Sequence, residues 1–183
     1  MYPLPDIDDT YDPSGDILRE IFEEASVDDM ALSKTLNEEQ QATYNEIMYA
    51  IDSDHGGLLF VDGPGGTGKT YLYRALLATI RSQNKIVMAI ATSGVAASIM
   101  PGGRIAHSRF KIPITLDDGA FCSFTKQSGT TKLLQTVSLI IWDEVTMMKR
   151  QGVEALDNSL RDIMDCPNLQ FGGKTVVFGG DFR

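Results

Sequence analysis

From Leu36 onward the spacing of apolar residues switches back and forth between two periods. Tyr44, Ile47, Met48 and Ile51 recur at helical spacing, and LLFVD (58–62) is a short apolar run that ends in a glycine-rich turn. Leu72, Ala75, Leu76 and Ile80 predict a second helix, and KIVMAIA (85–91) predicts a buried strand. VSLIIWDE (137–144) predicts another strand, followed by a helix carrying Val153, Leu156, Leu160 and Ile163, and TVVFGGD (175–181) closes the series. Strands that are apolar at nearly every position must be covered on both faces. Their alternation with helices therefore predicts an α/β fold with a mostly parallel sheet and helices on both sides. The stretch 101–136, with Pro101, Gly102, Gly103 and Pro113, lacks a sustained period and predicts loops with a small insertion.

Ahead of this pattern lies a Pro- and Asp-rich lead, then DILREIFEEA, where Ile17, Leu18, Ile21 and Phe22 predict a short amphipathic helix. The expected division is an acidic extension over 1–33 and one α/β domain over 34–183. The 183 residues, 43% of them apolar, suffice for one hydrophobic core. No apolar run approaches the roughly 20 residues that span a bilayer. The acidic start MYPLPDIDDTYDPSGD resembles neither a secretory signal nor a mitochondrial transit peptide. Cys122 and Cys166 show no metal or disulfide spacing and read as reduced thiols of an intracellular protein. The formal net charge is −9, with much of the acidic excess in the first 40 residues. Any contact with nucleic acid therefore has to be local.

The chemistry concentrates in two places. GPGGTGKT, from Gly63 through Pro64, Gly65, Gly66, Thr67, Gly68 and Lys69 to Thr70, fits G-x-x-x-x-G-K-[ST] between a predicted strand and a predicted helix. Its glycines let consecutive backbone N–H groups turn inward into a concave anion site at a helix N-terminus. Lys69 is placed to reach the β- and γ-phosphates of ATP, and the Thr70 hydroxyl to ligate Mg²⁺. Such a loop needs a carboxylate on a neighbouring strand, and LIIWDE supplies Asp143 for the metal and Glu144 to activate the attacking water. Two successive carboxylates favour an ATPase over a nucleotide kinase. His55 and His107 lie too far apart in sequence to suggest a histidine metal site.

LNEEQ, GPGGTGKT, ATSGVAAS, GGRIAHSRFKIPI, LIIWDE and FGGKTVVFGGDFR occur in this order between Leu36 and Arg183. Together they resemble the petite-integration-frequency (PIF-type) DNA helicases, relatives of RecD, and in particular their plant and transposon-associated branch. The resemblance implies a RecA-like P-loop ATPase domain, the first motor domain of a helicase that translocates on single-stranded DNA and opens duplexes. It also implies single-stranded DNA or DNA junctions as partners, no membrane, a nuclear location, and work in DNA repair, recombination and telomere maintenance. Gln40 matches the family's adenine-reading glutamine, although Asn37 and Gln40 also have the spacing of a capping box. Ser93 and Gly94 match a segment that grips the DNA backbone, and Ser93 equally reads as a helix N-cap. His107, Ser108 and Phe110 match the next DNA-contact segment, with Phe110 either stacking on a base or lying in the core. Asp181 matches the motif that couples the phosphate site to DNA, in which the family places a glutamine after the position of Arg183. The resemblance thus predicts that a chain ending at Arg183 lacks this glutamine and the second motor domain, and binds nucleotide without unwinding DNA. A nucleotide-binding module without turnover, or an oligomeric remodelling ATPase, are the alternative readings.

Overall fold

The protein is described here from a computed structural model, which covers residues 31–53 and 56–182. The predicted helix around Ile17–Phe22, together with His55 and Arg183, lies outside the described residues.

The first complete element of the described residues is α1 (Glu38–Asp52), whose N-cap Asn37 accepts from the Gln40 amide while the Gln40 side chain accepts from the Asn37 N–H. This reciprocal pair satisfies two of the helix's orphan donors. β1 (Gly57–Asp62) leads into the glycine-rich loop and α2 (Lys69–Ser82). β2 (Val87–Ala91) is followed by α3 (Gly94–Ile99), the two-residue β3 (Arg104–Ile105) and α4 (Ala106–Phe110). Next come α5 (Gly129–Thr136), β4 (Leu139–Asp143), a 3₁₀ turn over Val145–Met147, α6 (Arg150–Ile163), a second 3₁₀ turn over Gln170–Gly173 and β5 (Thr175–Gly180).

The five strands form one sheet in the order β1-β5-β4-β2-β3, with every pairing parallel. Side-chain alternation divides the core into two layers. Met88, Ile90, Ile140, Trp142, Val176 and Phe178 face α4, α5 and α6, whereas Val87, Ala89, Ala91, Leu139, Ile141 and Val177 face α1, α2 and α3. The expected α/β fold with helices on both faces is therefore present. At the centre of the first layer Trp142 packs against Phe110 (centroids 5.7 Å apart) and edge-on to Phe178 (6.0 Å), while its indole N–H donates to Thr92 Oγ1 at 3.0 Å.

The main difference from the sequence reading lies in 101–136. That stretch holds β3, α4 and the eight-residue α5, whose N-cap Ser128 accepts from Thr131 N. These elements are too short for a hydrophobic period to declare itself, yet they bury Phe110, Leu133 and Leu134 completely or nearly so. The predicted strand ends also recede: β2 begins at Val87, after Lys85 and Ile86, and β4 at Leu139.

Candidate active site

In an open parallel sheet, ligands bind beyond the carboxyl ends of the strands, because the loops there are framed by helix N-termini. The predicted chemistry collects at that end. The loop after β1 is braced internally, with the Thr67 hydroxyl donating to Pro64 O at 2.9 Å. Gly66 (φ 86°) and Gly68 (φ 85°) take left-handed backbone angles that turn the loop into the first turn of α2. Gly68 serves as the N-cap of α2, and Lys69 and Thr70 are its first two residues. The Lys69 ammonium donates to Gly63 O and, at 3.2 Å, to Pro64 O, so it lies folded over the loop.

Asp143 ends β4, which is not the neighbour of β1; β5 runs between them. Two strand spacings, roughly 9–10 Å, must therefore be bridged above β5. The residues of β5 at that level are Gly179 and Gly180, paired in register with Val61 and Asp62, and their lack of side chains makes room there for Tyr73, Asp143 and Thr146. Asp143 is 3% exposed, and its Oδ1 has no hydrogen-bond partner. Burial raises its carboxyl above the ordinary carboxylate value, opposed by the Glu144 backbone N–H, the Lys69 charge and the Tyr73 hydroxyl. Glu144 follows with φ 53°, a left-handed conformation that an L-residue adopts at a cost of about 1–3 kcal/mol and that is concentrated at functional sites. This angle turns the chain sharply out of β4 into the 3₁₀ turn.

Lys69, Thr70, Asp143 and Glu144 line one cavity of about 610 Å³, together with Gly65, Gly66 and Gly68. Gly63 is buried beneath the loop, where a Cβ would stand 2.7 Å from Thr67 Oγ1. The donor set suits a hydrated divalent cation: a buried carboxylate with an unpartnered oxygen and a threonine line the same cavity. Among the described residues no cluster of three or more His, Cys, Asp or Glu forms a separate metal site, and no helix is long and apolar enough to cross a membrane.

The remaining predicted residues divide. Gln40 has both ends of its amide engaged: Oε1 accepts from Asn37 N at 3.1 Å and Nε2 donates to Gly68 O at 3.3 Å. The capping box is thus present, and the same side chain ties α1 to the last glycine of the loop. Ser93 caps α3 by accepting from Ala96 N at 3.2 Å and lines the nucleotide cavity, whereas Gly94 lines a second cavity of about 740 Å³. Helix α3 is the wall between the two, with Val95, Ala96 and Ile99 on the first cavity and Ala97 and Ser98 on the second. Ser108, Arg104, Arg109, Lys111 and Thr130 also border this second cavity, whose walls, among the described residues, carry three cationic side chains and no carboxylate. His107 is exposed but does not line it. Phe110 corrects the expectation of base stacking. It is 0% exposed, held against Trp142, and has no face to offer a base.

Tyr73 is a site residue that the sequence did not disclose. It is wholly buried on α2, and burial together with the carboxylates of Asp143 and Glu144 pushes its phenol far above the usual tyrosine range. Its only sequence signal is a hydroxyl in an otherwise apolar helical stripe.

Comparison with known proteins agrees with this geometry. The chain is 30% identical over 166 residues to "ATP-dependent DNA helicase PIF4" of Trypanosoma brucei brucei, covering 87% of this chain and 19% of that protein. It is 31% identical over 147 residues to "ATP-dependent DNA helicase PIF1" of the same organism, covering 80% of this chain and 14% of that one. The Pif1 helicase from Bacteroides, solved in complex with ADP-AlF3 and single-stranded DNA, superposes with a TM-score of 0.64 at 31% identity. That alignment covers 80% of this chain and 32% of the Bacteroides chain. The sequence profile of the PIF1-like helicases matches residues 35–183, the span that contains the phosphate loop, the acidic strand end and the basic cavity. By sequence and fold, this chain belongs to the PIF1-like helicase family.

Proposed function

We propose that this chain is the ATP-hydrolysing motor domain of an ATP-dependent DNA helicase, which couples turnover to movement along single-stranded DNA and to duplex opening. The observation that carries the reading is the convergence of Lys69, Thr70, Asp143 and Glu144 on one cavity at the carboxyl ends of the strands. The N–H groups of the loop and the N-terminus of the 14-residue α2 receive the phosphates. Lys69 exchanges its loop carbonyls for β- and γ-phosphate oxygens. Thr70 and Asp143 would hold Mg²⁺, which when bound supplies positive charge to the phosphates during transfer. Glu144 accepts a proton from the attacking water as its oxygen bonds to the γ-phosphorus and ADP departs. Gln40 stands where α1 meets the loop, and reading an adenine edge would exchange its bond to Gly68 O for one to the base.

The basic cavity beside Gly94 and Ser108 is the proposed place of single-stranded DNA, on the far side of α3 from the nucleotide cavity. The chain spans 19% and 14% of the two trypanosome relatives and 32% of the Bacteroides chain, so unwinding is proposed for a protein of family length. Roles in repair, recombination and telomere maintenance, and a nuclear location, belong to the same proposal and rest on sequence resemblance. Nothing in the fold favours a non-hydrolysing module or a ring-forming remodeller.

The test is Glu144→Gln, assayed for nucleotide binding and for ATP hydrolysis with and without single-stranded DNA, in this chain and in one extended to family length. Binding of Mg²⁺–ATP should persist while turnover falls about 10²–10⁴-fold, the usual contribution of a general base. Hydrolysis that survives the substitution would remove Glu144 from the reaction.

A further inference from the structure

Tyr73 lies one helical turn beyond Lys69, four residues on, and therefore on the same face of α2. A buried phenol ordinarily finds a hydrogen-bond partner. The Tyr73 hydroxyl has none, and neither does Asp143 Oδ1. The two oxygens converge on one point above β5: a Cβ on Gly179 would stand 1.9 Å from the Tyr73 hydroxyl and 2.7 Å from Asp143 Oδ1. Any side chain at 179 would displace both. Two unsatisfied polar groups buried side by side each carry an uncompensated desolvation penalty. A donor and an acceptor in that position remove both penalties with one small side-chain rotation.

We propose that Tyr73 is the positioning residue for Asp143, its hydroxyl donating to the buried carboxylate so that the second carboxylate oxygen is presented to the metal of the Mg²⁺–nucleotide. Gly179 is the clearance that makes this contact possible. The assignment rests on the proposed ATP–Mg²⁺ reading of the cavity. It extends that reading to a residue outside the phosphate loop and the acidic pair. Groups that orient a metal-ligating carboxylate typically contribute 10–100-fold to metal affinity.

The test is Tyr73→Phe, which keeps the ring and removes the oxygen. ADP binding is titrated by calorimetry without metal and across a Mg²⁺ series, and Mn²⁺ bound with ADP is followed by electron paramagnetic resonance. Metal-free ADP affinity should stay within about twofold of wild type, while the Mg²⁺ concentration for half-maximal enhancement rises roughly 10–100-fold and the Mn²⁺ spectrum changes. Gly179→Ala should reproduce the metal defect, and should add little to it in the Tyr73→Phe background, because both changes break one contact. An unchanged Mg²⁺ requirement in Tyr73→Phe overturns the assignment. So does an equal loss of affinity with and without metal, which would mark Tyr73 as packing alone. If wild-type binding is itself indifferent to Mg²⁺, the ATP–Mg²⁺ reading fails first and the assignment with it.

Discussion

Asp143 is buried at the end of β4 with one carboxylate oxygen unpartnered, a placement that works against the apo fold. Its carboxyl lies above the ordinary value, so the folded chain binds this proton more readily than the unfolded chain does. The sign follows from linkage: the stability associated with the group is fully present below the ordinary aspartate pKa and is lost as pH rises through the raised one. Asp143→Asn should therefore stabilise the metal-free protein at neutral pH, each kcal/mol appearing as a rise in Tm of about 2–4 °C for a domain of this size. The advantage should shrink as the pH falls toward about 4, where even the unfolded carboxyl takes up its proton. Urea melts of both proteins across pH check this, and an advantage that grows on acidification would contradict it. The same substitution should abolish the Mg²⁺ enhancement of nucleotide binding. At this scale the sequence was most legible where spacing is dictated by a ligand: Gly65, Gly66, Gly68, Lys69, Thr70, Asp143 and Glu144 line one cavity and Gly63 is buried beneath the loop, while Pro64 and Thr67 brace the loop without lining the cavity. It was silent on Tyr73, because a hydroxyl within the stripe of Leu72 and Leu76 gives no sign of what it faces across the sheet.

At the scale of elements, the strands were readable because burial on both faces leaves them apolar throughout, and the long helices because one face of each repeats. Short elements escape that logic. α4 has five residues, fewer than two turns, so nothing in AHSRF says which side chain points inward. Phe110 points inward completely. Phe110→Ala should consequently cost about 3–5 kcal/mol of stability, as large-to-small changes at buried aromatics do. The affinity of the remaining folded protein for single-stranded DNA should be unchanged. Denaturant unfolding and fluorescence anisotropy with a labelled oligonucleotide, at a temperature where the variant stays folded, check the two halves separately. A loss of DNA affinity with undiminished stability would restore the stacking role. Gln40 shows a different limit. Its spacing from Asn37 foretold a capping box, but only the fold reveals that the same amide also holds the backbone of the phosphate loop.

For the molecule as a whole, the net charge of −9 and the clustering of Arg104, Arg109 and Lys111 at one cavity would confine the proposed DNA contact to one local surface. A single-strand site contributes a log–log salt slope of about −0.7 per neutralised phosphate, so three cations give a slope no steeper than about −2. Binding isotherms across a salt series measure it, and a much steeper slope would require a second basic surface. The two cavities share α3 as a wall, with Ser93, Val95, Ala96 and Ile99 on one side and Gly94, Ala97 and Ser98 on the other. A shift of that six-residue helix is therefore felt at both sites.

The Lys69 ammonium, bound to the carbonyls of Gly63 and Pro64, has a thermodynamic consequence for the whole cycle. A lysine side chain that is ordered on burial gives up as much as about 2 kcal/mol of rotamer entropy. Because this side chain is already held, that loss falls on folding and not on capture of the nucleotide, as in any preorganised receptor. Entry and departure of the phosphates then become exchanges of one set of oxygens for another around a fixed cation. Such an exchange would have a shallow free-energy difference, which suits the proposed motor, since it must release its product as readily as it takes up its fuel.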